Sequence, residues 1–131
     1  MSPHVFPVTV YYEDTDMGGI VYHANYLKFI ERARSDWVRG EGVDQVALRA
    51  RGIVFAVRRI EADFRAPATL DDRLEVATEV LERTGARIVL SQVVTRDERP
   101  LFRARVELAA IDMHGGTPRR LPAELRRPAG A

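Results

Sequence analysis

Hydrophobic and polar residues alternate in five separate stretches of the chain. These stretches are rich in β-branched and aromatic residues, which is typical of strands. They are VFPVTVYY (Val5 to Tyr12), IVFAVRRIEADF, DRLEVATEVLE, ARIVLSQVVTR and LFRARVELAAID. Short turn-like segments at Thr84-Gly85 and at residues 97–100 separate the last three stretches. Consecutive strands joined by short turns predict an antiparallel sheet.

Between the first and second strands, the segment ANYLKFIERARSDWVRGEG has helical periodicity. Five apolar residues fall on one face of this helix: Tyr26, Phe29, Ile30, Ala33 and Trp37. Asn25 is its predicted N-cap, and Gly40 or Gly42 its predicted end. A face of this size needs a sheet to cover it. The pattern therefore predicts an α+β protein in the order β-α-β-β-β-β.

The second predicted strand changes parity midway. Apolar residues occupy odd positions in Ile53–Val57 and even positions in Ile60–Phe64. One extra residue in a strand turns every later side chain to the opposite face of the sheet. A β-bulge near Arg58 and Arg59 is the interpretation that keeps both halves facing one core.

Composition narrows the class of protein. The 131 residues suit a single domain spanning residues 1–131, with residues 117–131 expected to form a loose C-terminal tail. The 20 Lys plus Arg residues nearly balance the 19 Asp plus Glu residues, which argues against a nucleic-acid binder. The absence of cysteine excludes thiolate chemistry. No signal peptide or membrane-length apolar run is evident, so a cytoplasmic protein without membrane insertion is expected.

The segment YYEDTDMGGIVYHANY holds the residues with the greatest chemical potential. Three carboxylates fall within four positions, and two glycines and a histidine follow. A solvated turn before a helix would account for this composition. The Asp-x-Asp pair with a histidine could instead ligate a metal. The third interpretation is a catalytic site for acyl chemistry.

The catalytic interpretation has a physical basis. Asp16 could attack a carbonyl carbon or activate a water molecule to do so. Gly18 and Gly19 let the backbone approach a ligand closely. The helix start beyond them offers unpaired N–H groups where an oxyanion would be stabilised. One short segment would thus supply both the attacking group and the oxyanion site.

The segment EDTDMGGIVYHANYLKFIERAR resembles the signature of the 4-hydroxybenzoyl-CoA thioesterase family, most closely its Tol-Pal-associated acyl-CoA thioesterase branch. VRRIEADFRAPATLDDRLEV and AAIDMHGGTPRRLP resemble two further blocks of that family, so the resemblance extends over nearly the whole chain. It implies the hotdog fold, a five-stranded antiparallel sheet wrapped around a long central helix. It also implies a homodimer or homotetramer that hydrolyses an acyl- or aryl-CoA without a metal or other cofactor.

The resemblance also assigns roles to residues. Asp16 matches the family's catalytic carboxylate, as nucleophile or general base. His23 matches the position whose backbone N–H faces the thioester oxygen. Seven residues are candidates for substrate binding: Tyr12, Gly19, Tyr22, Asn25, Arg58, Arg59 and Arg87. The three arginines among them are proposed for the CoA phosphates. Asp14 is expected to hold the loop by accepting backbone N–H bonds.

Two other functions compete with hydrolysis. A hotdog hydratase or dehydratase would also act on acyl thioesters, but such enzymes place their catalytic histidine and acid differently. A noncatalytic acyl-thioester-binding protein would keep the fold without needing both Asp16 and His23. The arrangement of these two residues therefore favours the hydrolase.

Overall fold

The computed structural model describes residues 3–126 of the chain. One antiparallel sheet has the strand order β1-β3-β4-β5-β2. Its strands are β1 (His4–Thr9), β2 (Ile53–Phe64), β3 (Arg73–Arg83), β4 (Arg87–Arg96) and β5 (Arg99–Asp112). The helices are α1 (Asn25–Gly40), α2 (Gln45–Ala50) and α3 (Ala123–Arg126), and a 3₁₀ turn spans Tyr12–Asp14. No helix in this part of the chain is long and apolar enough to cross a membrane.

Helix α1 lies against one face of the sheet, as the helical periodicity predicts. All five residues of its predicted apolar face are buried, and Phe29 and Ile30 are completely so. The sheet covers them with side chains from β3, β4 and β5: Leu74, Val76, Ile88, Leu90, Phe102 and Val106. Each buried side chain of this size stabilises the fold by about 1.5–3 kcal/mol. The predicted sheet wrapped around a helix is confirmed.

The predicted β-bulge in β2 is also confirmed. Val57 pairs with Leu108 of β5, and Arg59 pairs with the next residue, Glu107, so Arg58 has no partner in the ladder. Because of this extra residue, Ile60 faces the same core as Ile53 and Phe55, which precede the bulge. The change of parity in the sequence therefore correctly indicated the position of the bulge.

The predicted ends of two elements were wrong. Strand β1 ends at Thr9 rather than Tyr12, because the chain turns where the Tyr11 N–H donates to Asp14 Oδ2 (2.9 Å). Tyr12 therefore begins the 3₁₀ turn, and 82% of it is exposed. Helix α1 has Ala24 at its N-cap, and Asn25 is its first helical residue.

Helix α2 was missed by the sequence analysis. Its signal is Asp44, whose Oδ1 accepts hydrogen bonds from the N–H groups of Val46 (2.9 Å) and Ala47 (3.1 Å). An aspartate at this position is a strong N-cap. The helix then packs its single buried residue, Leu48, under the start of β2.

The C-terminal segment is not loose over residues 117–126. Leu121 and Leu125 are buried in the core cluster. The Leu121 N–H donates to Gly85 O (2.8 Å), and Arg83 Nη1 donates to Leu125 O (2.6 Å). The expected loose tail is therefore wrong for these residues, and residues 127–131 lie outside the described part of the chain.

Replacing Leu125 with alanine should lower the free energy of unfolding by about 2–5 kcal/mol, because it leaves a cavity in the core. Urea denaturation measures this change. Leu81→Ala is the matched control, because 52% of Leu81 is exposed, and it should change stability little. Equal stability of Leu125→Ala and the native protein would mean that the tail does not close the core.

Candidate active site

The acidic loop forms a small hairpin over residues 15–21. The Asp16 N–H donates to Ile20 O and the Gly19 N–H to Asp16 O, both at 3.0 Å. Gly19 has a φ of +81°, a left-handed conformation that glycine adopts without strain. The Asp16 side chain is exposed, and its Oδ1 accepts from the Gly18 N–H at 2.8 Å. Its other carboxylate oxygen has no hydrogen-bond partner within residues 3–126.

Asp14 holds this hairpin to the helix start, as expected. Its side chain is buried, with Oδ2 accepting from the Tyr11 N–H (2.9 Å) and Oδ1 from Asn25 Nδ2 (3.0 Å). Its carbonyl oxygen accepts from the Tyr22 N–H (2.9 Å). The Asn25 amide is therefore part of the loop anchor and does not cap the helix.

Two backbone N–H groups at the start of α1 are unpaired. The Asn25 N–H donates to Tyr22 O at 2.8 Å, but within residues 3–126 neither His23 nor Ala24 donates a hydrogen bond from its N–H. The positive end of the helix dipole lies at the same place. Unpaired N–H groups in this position stabilise a negatively charged oxygen.

Aromatic side chains form one wall beside these N–H groups. The His23 ring is exposed and lies 4.6 Å from the ring centroid of Tyr22 and 6.1 Å from that of Phe64. Phe64 also packs edge-on against Tyr26, which stacks on Phe102. Phe64 was not among the residues predicted for the site, although 54% of it is exposed. The sequence feature that could have identified Phe64 is its position as the last apolar residue of the alternating β2 stretch.

The segment Pro67–Asp72 supports the hairpin from the other side. The Val21 N–H donates to Ala68 O (2.8 Å), and the Ala68 N–H donates to the Tyr26 hydroxyl (3.1 Å). Burial raises the pKa of Tyr26, which keeps this hydroxyl neutral. The sequence analysis missed this segment, because only the fold brings it to the loop.

An ion pair fixes this supporting segment. Asp72 Oδ2 accepts from the Thr69 N–H (2.8 Å) and from Arg96 Nη1 (2.6 Å). Partial burial acts to raise the pKa of Asp72, but the Thr69 hydrogen bond and the Arg96 guanidinium outweigh it and hold that pKa below its usual range. Thr69 itself bridges to Ile20 of the hairpin, so the ion pair acts on the loop that carries Asp16.

The predicted arginines are not brought to the loop within one chain. Arg87 forms an ion pair with Glu107 (3.0 Å). On β4 it lies seven residues from Val94, which pairs with Phe102 beside the site, so Arg87 is about 23 Å from that point along the strand. Arg58 and Arg59 lie at the bulge, six and five residues before Phe64, which places them about 16–20 Å from Phe64 along the strand.

The remaining predicted site residues lie in or next to the hairpin. Tyr12 is exposed at the 3₁₀ turn, where its carbonyl oxygen accepts from Thr15 Oγ1 (2.7 Å). Tyr22 is half-exposed beside His23. Within residues 3–126, no three acidic, histidine or cysteine side chains are grouped so that they could hold a metal ion.

Comparisons with known proteins agree with this geometry. A family model described as the thioesterase-like superfamily matches residues 10–128. The acyl-CoA thioester hydrolase YbgC of Escherichia coli O6:H1 is 43% identical over 89% of this chain and 88% of its own. The acyl-CoA thioesterase YbgC of Haemophilus influenzae is 43% identical over 92% of this chain and 90% of its own. The crystal structure of a probable thioesterase from Bartonella henselae is 40% identical, with a TM-score of 0.86 over 92% of this chain and all of that one.

The sheet wrapped around α1 is that of a hotdog protein. The chain belongs to the thioesterase-like superfamily. The YbgC relatives confirm its resemblance to the Tol-Pal-associated branch.

The Asp72–Arg96 ion pair should make stability depend on pH. The folded pKa of Asp72 is depressed, so its contribution is complete above the unfolded value of about 4 and is lost as the pH falls through the lower folded value. Urea denaturation from pH 7 to pH 2 should therefore show Asp72→Asn less stable than the native protein at pH 7, with the difference closing below about pH 4.

The control is Glu61→Gln, which removes an exposed ion pair with Arg59. Such pairs contribute little, so its stability should follow that of the native protein at every pH. A constant difference between native protein and Asp72→Asn across the whole range would contradict an electrostatic role for Asp72.

Proposed function

We propose that this protein is an acyl-CoA thioesterase, in which Asp16 supplies the attack and the N–H groups of His23 and Ala24 hold the oxyanion. The observation that carries this proposal is the hairpin of residues 15–21. It presents a carboxylate oxygen and leads directly into two N–H groups at a helix start, none of which has a partner within the described part of the chain.

The reaction follows from these groups. A thioester whose carbonyl oxygen lies at the His23 and Ala24 N–H groups is polarised for attack. Asp16 either attacks the carbonyl carbon, giving an anhydride that water then hydrolyses, or takes a proton from the water that attacks. In both routes the negative charge grows on the oxygen held by the helix start. The CoA thiolate leaves, takes up a proton, and a free carboxylic acid remains.

We further propose that a second copy of the chain completes the site. Strand β2 has twelve residues and an unpaired edge, which proteins usually cover. Exposed apolar side chains lie at its end and on the nearby loops: Met17, Ile20, Tyr22, Phe64 and Leu70. Two β2 edges paired antiparallel about their C-terminal halves would bring the partner's bulge near Phe64. Arg58 and Arg59 would then be available for the CoA phosphates.

Replacing Asp16 with asparagine should lower kcat about 10²- to 10⁴-fold, because the attacking oxygen is lost. Hydrolysis of short, long and aromatic acyl-CoAs is followed by thiol release with a chromogenic disulfide, and the chain contains no cysteine to interfere. Glu13→Gln is the matched control: it removes an exposed carboxylate of the same loop and should retain activity. Undiminished turnover by Asp16→Asn would remove Asp16 from the mechanism. An equal loss of activity in both variants would mean that the negative charge of the loop matters, and not the attacking oxygen of Asp16.

Replacing Ala62 with aspartate should dissociate the proposed oligomer. Ala62 is exposed on β2, so a charge there has little effect on a lone chain but would be buried between two paired edges. Light scattering after size exclusion gives the mass. Val5→Asp, at an exposed residue of the opposite edge strand β1, should leave the mass unchanged. A monomeric native protein would contradict the proposed pairing.

A further inference from the structure

Among the described residues, Arg34 is a buried cation without an ion-pair partner. It lies on α1 with only 9% of its surface exposed. Its Nη1 donates to Gln92 Oε1 at 3.0 Å, which is its single hydrogen bond within residues 3–126. Burial lowers the pKa of Arg34, with the charge of Glu31 opposing that change. No described residue accepts from the other N–H donors of Arg34, which keep some contact with solvent and can therefore be reached by an entering acceptor.

Gln92 is fixed so that it cannot serve as a flexible partner. Its Nε2 donates to Ile30 O (2.9 Å) and to Thr78 Oγ1 (3.0 Å). The amide therefore presents its oxygen to Arg34 and holds the guanidinium in place. The side chain of Arg34 is thus positioned before any ligand arrives.

A cavity of about 140 Å³ lies beside Arg34. Helix α1 provides one side of it, and α2, β2 and β5 provide the others. Its lining is Glu31, Arg34, Ser35, Val38, Gln45, Phe55, Val57 and Leu108. Glu31 is exposed, and no carboxylate oxygen of the described residues lies within 4.0 Å of the Arg34 nitrogens. The cavity therefore combines apolar side chains with the charge of Arg34, which Glu31 offsets only from a distance and without an ion pair.

The same helix face leads from this cavity to the candidate active site. Leu27, Glu31 and Arg34 follow one another at spacings of four and three residues, so they share a face of α1, and His23 lies in the turn four positions before Leu27. Leu27 is an exposed apolar residue between the two ends. Strand β2 runs beside this face, since Phe64 lies at His23 and Val57 lines the Arg34 cavity.

The length of this path suits an acyl group of medium length. Arg34 follows His23 by eleven positions, which at the helical rise is about 16 Å along the axis. Helical side chains tilt toward the N-terminus, so the guanidinium lies closer to His23 than its Cα does. An acyl chain whose thioester lies at the His23 N–H would therefore extend past Leu27 toward Arg34.

We propose that Arg34 is a specificity-determining residue that binds a terminal carboxylate of the acyl group, which makes CoA thioesters of medium-length dicarboxylic acids the preferred substrates. The proposal rests on the proposed function, because it takes the thioester to lie at the start of α1. A carboxylate satisfies the unpaired donors of Arg34 and neutralises its charge in one contact. The carboxylate of Glu31 works against this binding through repulsion.

The experiment compares octanedioyl-CoA with octanoyl-CoA, which differ in the terminal carboxylate. The ratio of their kcat/KM values should favour octanedioyl-CoA in the native protein. It should fall about tenfold or more in Arg34→Met, which keeps the side-chain bulk but removes the charge-assisted hydrogen bonds. Arg39→Met, which removes an exposed arginine of the same helix, is the matched control and should leave the ratio unchanged. An unchanged ratio in Arg34→Met, or a native preference for octanoyl-CoA, would overturn the proposal.

Glu31→Gln gives an independent measurement if Arg34→Met does not fold. Removal of the repelling carboxylate should raise the preference for octanedioyl-CoA, and a preference that falls or stays the same would overturn the proposal. If the native protein hydrolyses neither substrate, the short, long and aromatic acyl-CoAs decide the proposed function separately, and calorimetry with free octanedioate tests the carboxylate site alone. Weaker binding of octanedioate by the Arg34 variant than by the Arg39 variant supports the site. Equal binding by the two variants, or no binding by the native protein, overturns it.

Discussion

The apolar face of α1 can be buried only against the sheet, and this contact determines where the helix begins. Phe29 and Ile30 are completely buried against it, which fixes the axis of the helix. Tyr26 stacks on Phe102 of β5 with a centroid distance of 5.0 Å, which fixes its first turn. The N–H groups of His23 and Ala24 are therefore held in place by packing below them. Preorganised donors of this kind need no rearrangement when charge develops on a ligand.

The hairpin that carries Asp16 depends indirectly on the packing of α1 against the sheet. Asp14 joins the hairpin to Asn25 of the helix, and Tyr26 joins the helix to Ala68. Ala68 in turn accepts a hydrogen bond from Val21 at the end of the hairpin. An exposed loop is normally mobile, but this one is bonded at both ends to elements that the core holds. The Asp16 carboxylate can thus be exposed and still be positioned.

Patterns of neighbouring residues in the sequence predicted the features that depend on neighbouring residues. The face of α1 and the bulge at Arg58 followed from periodicity and parity, because each depends on residues that are near in the chain. The anchoring of the tail through Leu125 and the Asp72–Arg96 pair could not be predicted this way. Arg96 is one of many arginines, and only the pairing of β3 with β4 selects it for Asp72. The sequence pointed to Asp16 as a candidate and to Asp14 as the residue that holds its loop, but the supporting contacts of Tyr26 and Ala68 could be seen only in the fold.

The exposure of the candidate site also constrains how it works. In a single chain, Asp16 and His23 face solvent, where a helix dipole and two N–H groups have little effect on a developing charge because water screens them. These donors become effective only when water is excluded. The neighbouring side chains Tyr22 and Phe64 are themselves exposed and leave the site open to solvent in a single chain. A second subunit along β2 and the acyl-CoA itself would supply the missing cover, so assembly and substrate binding would both contribute to the electrostatics of the reaction.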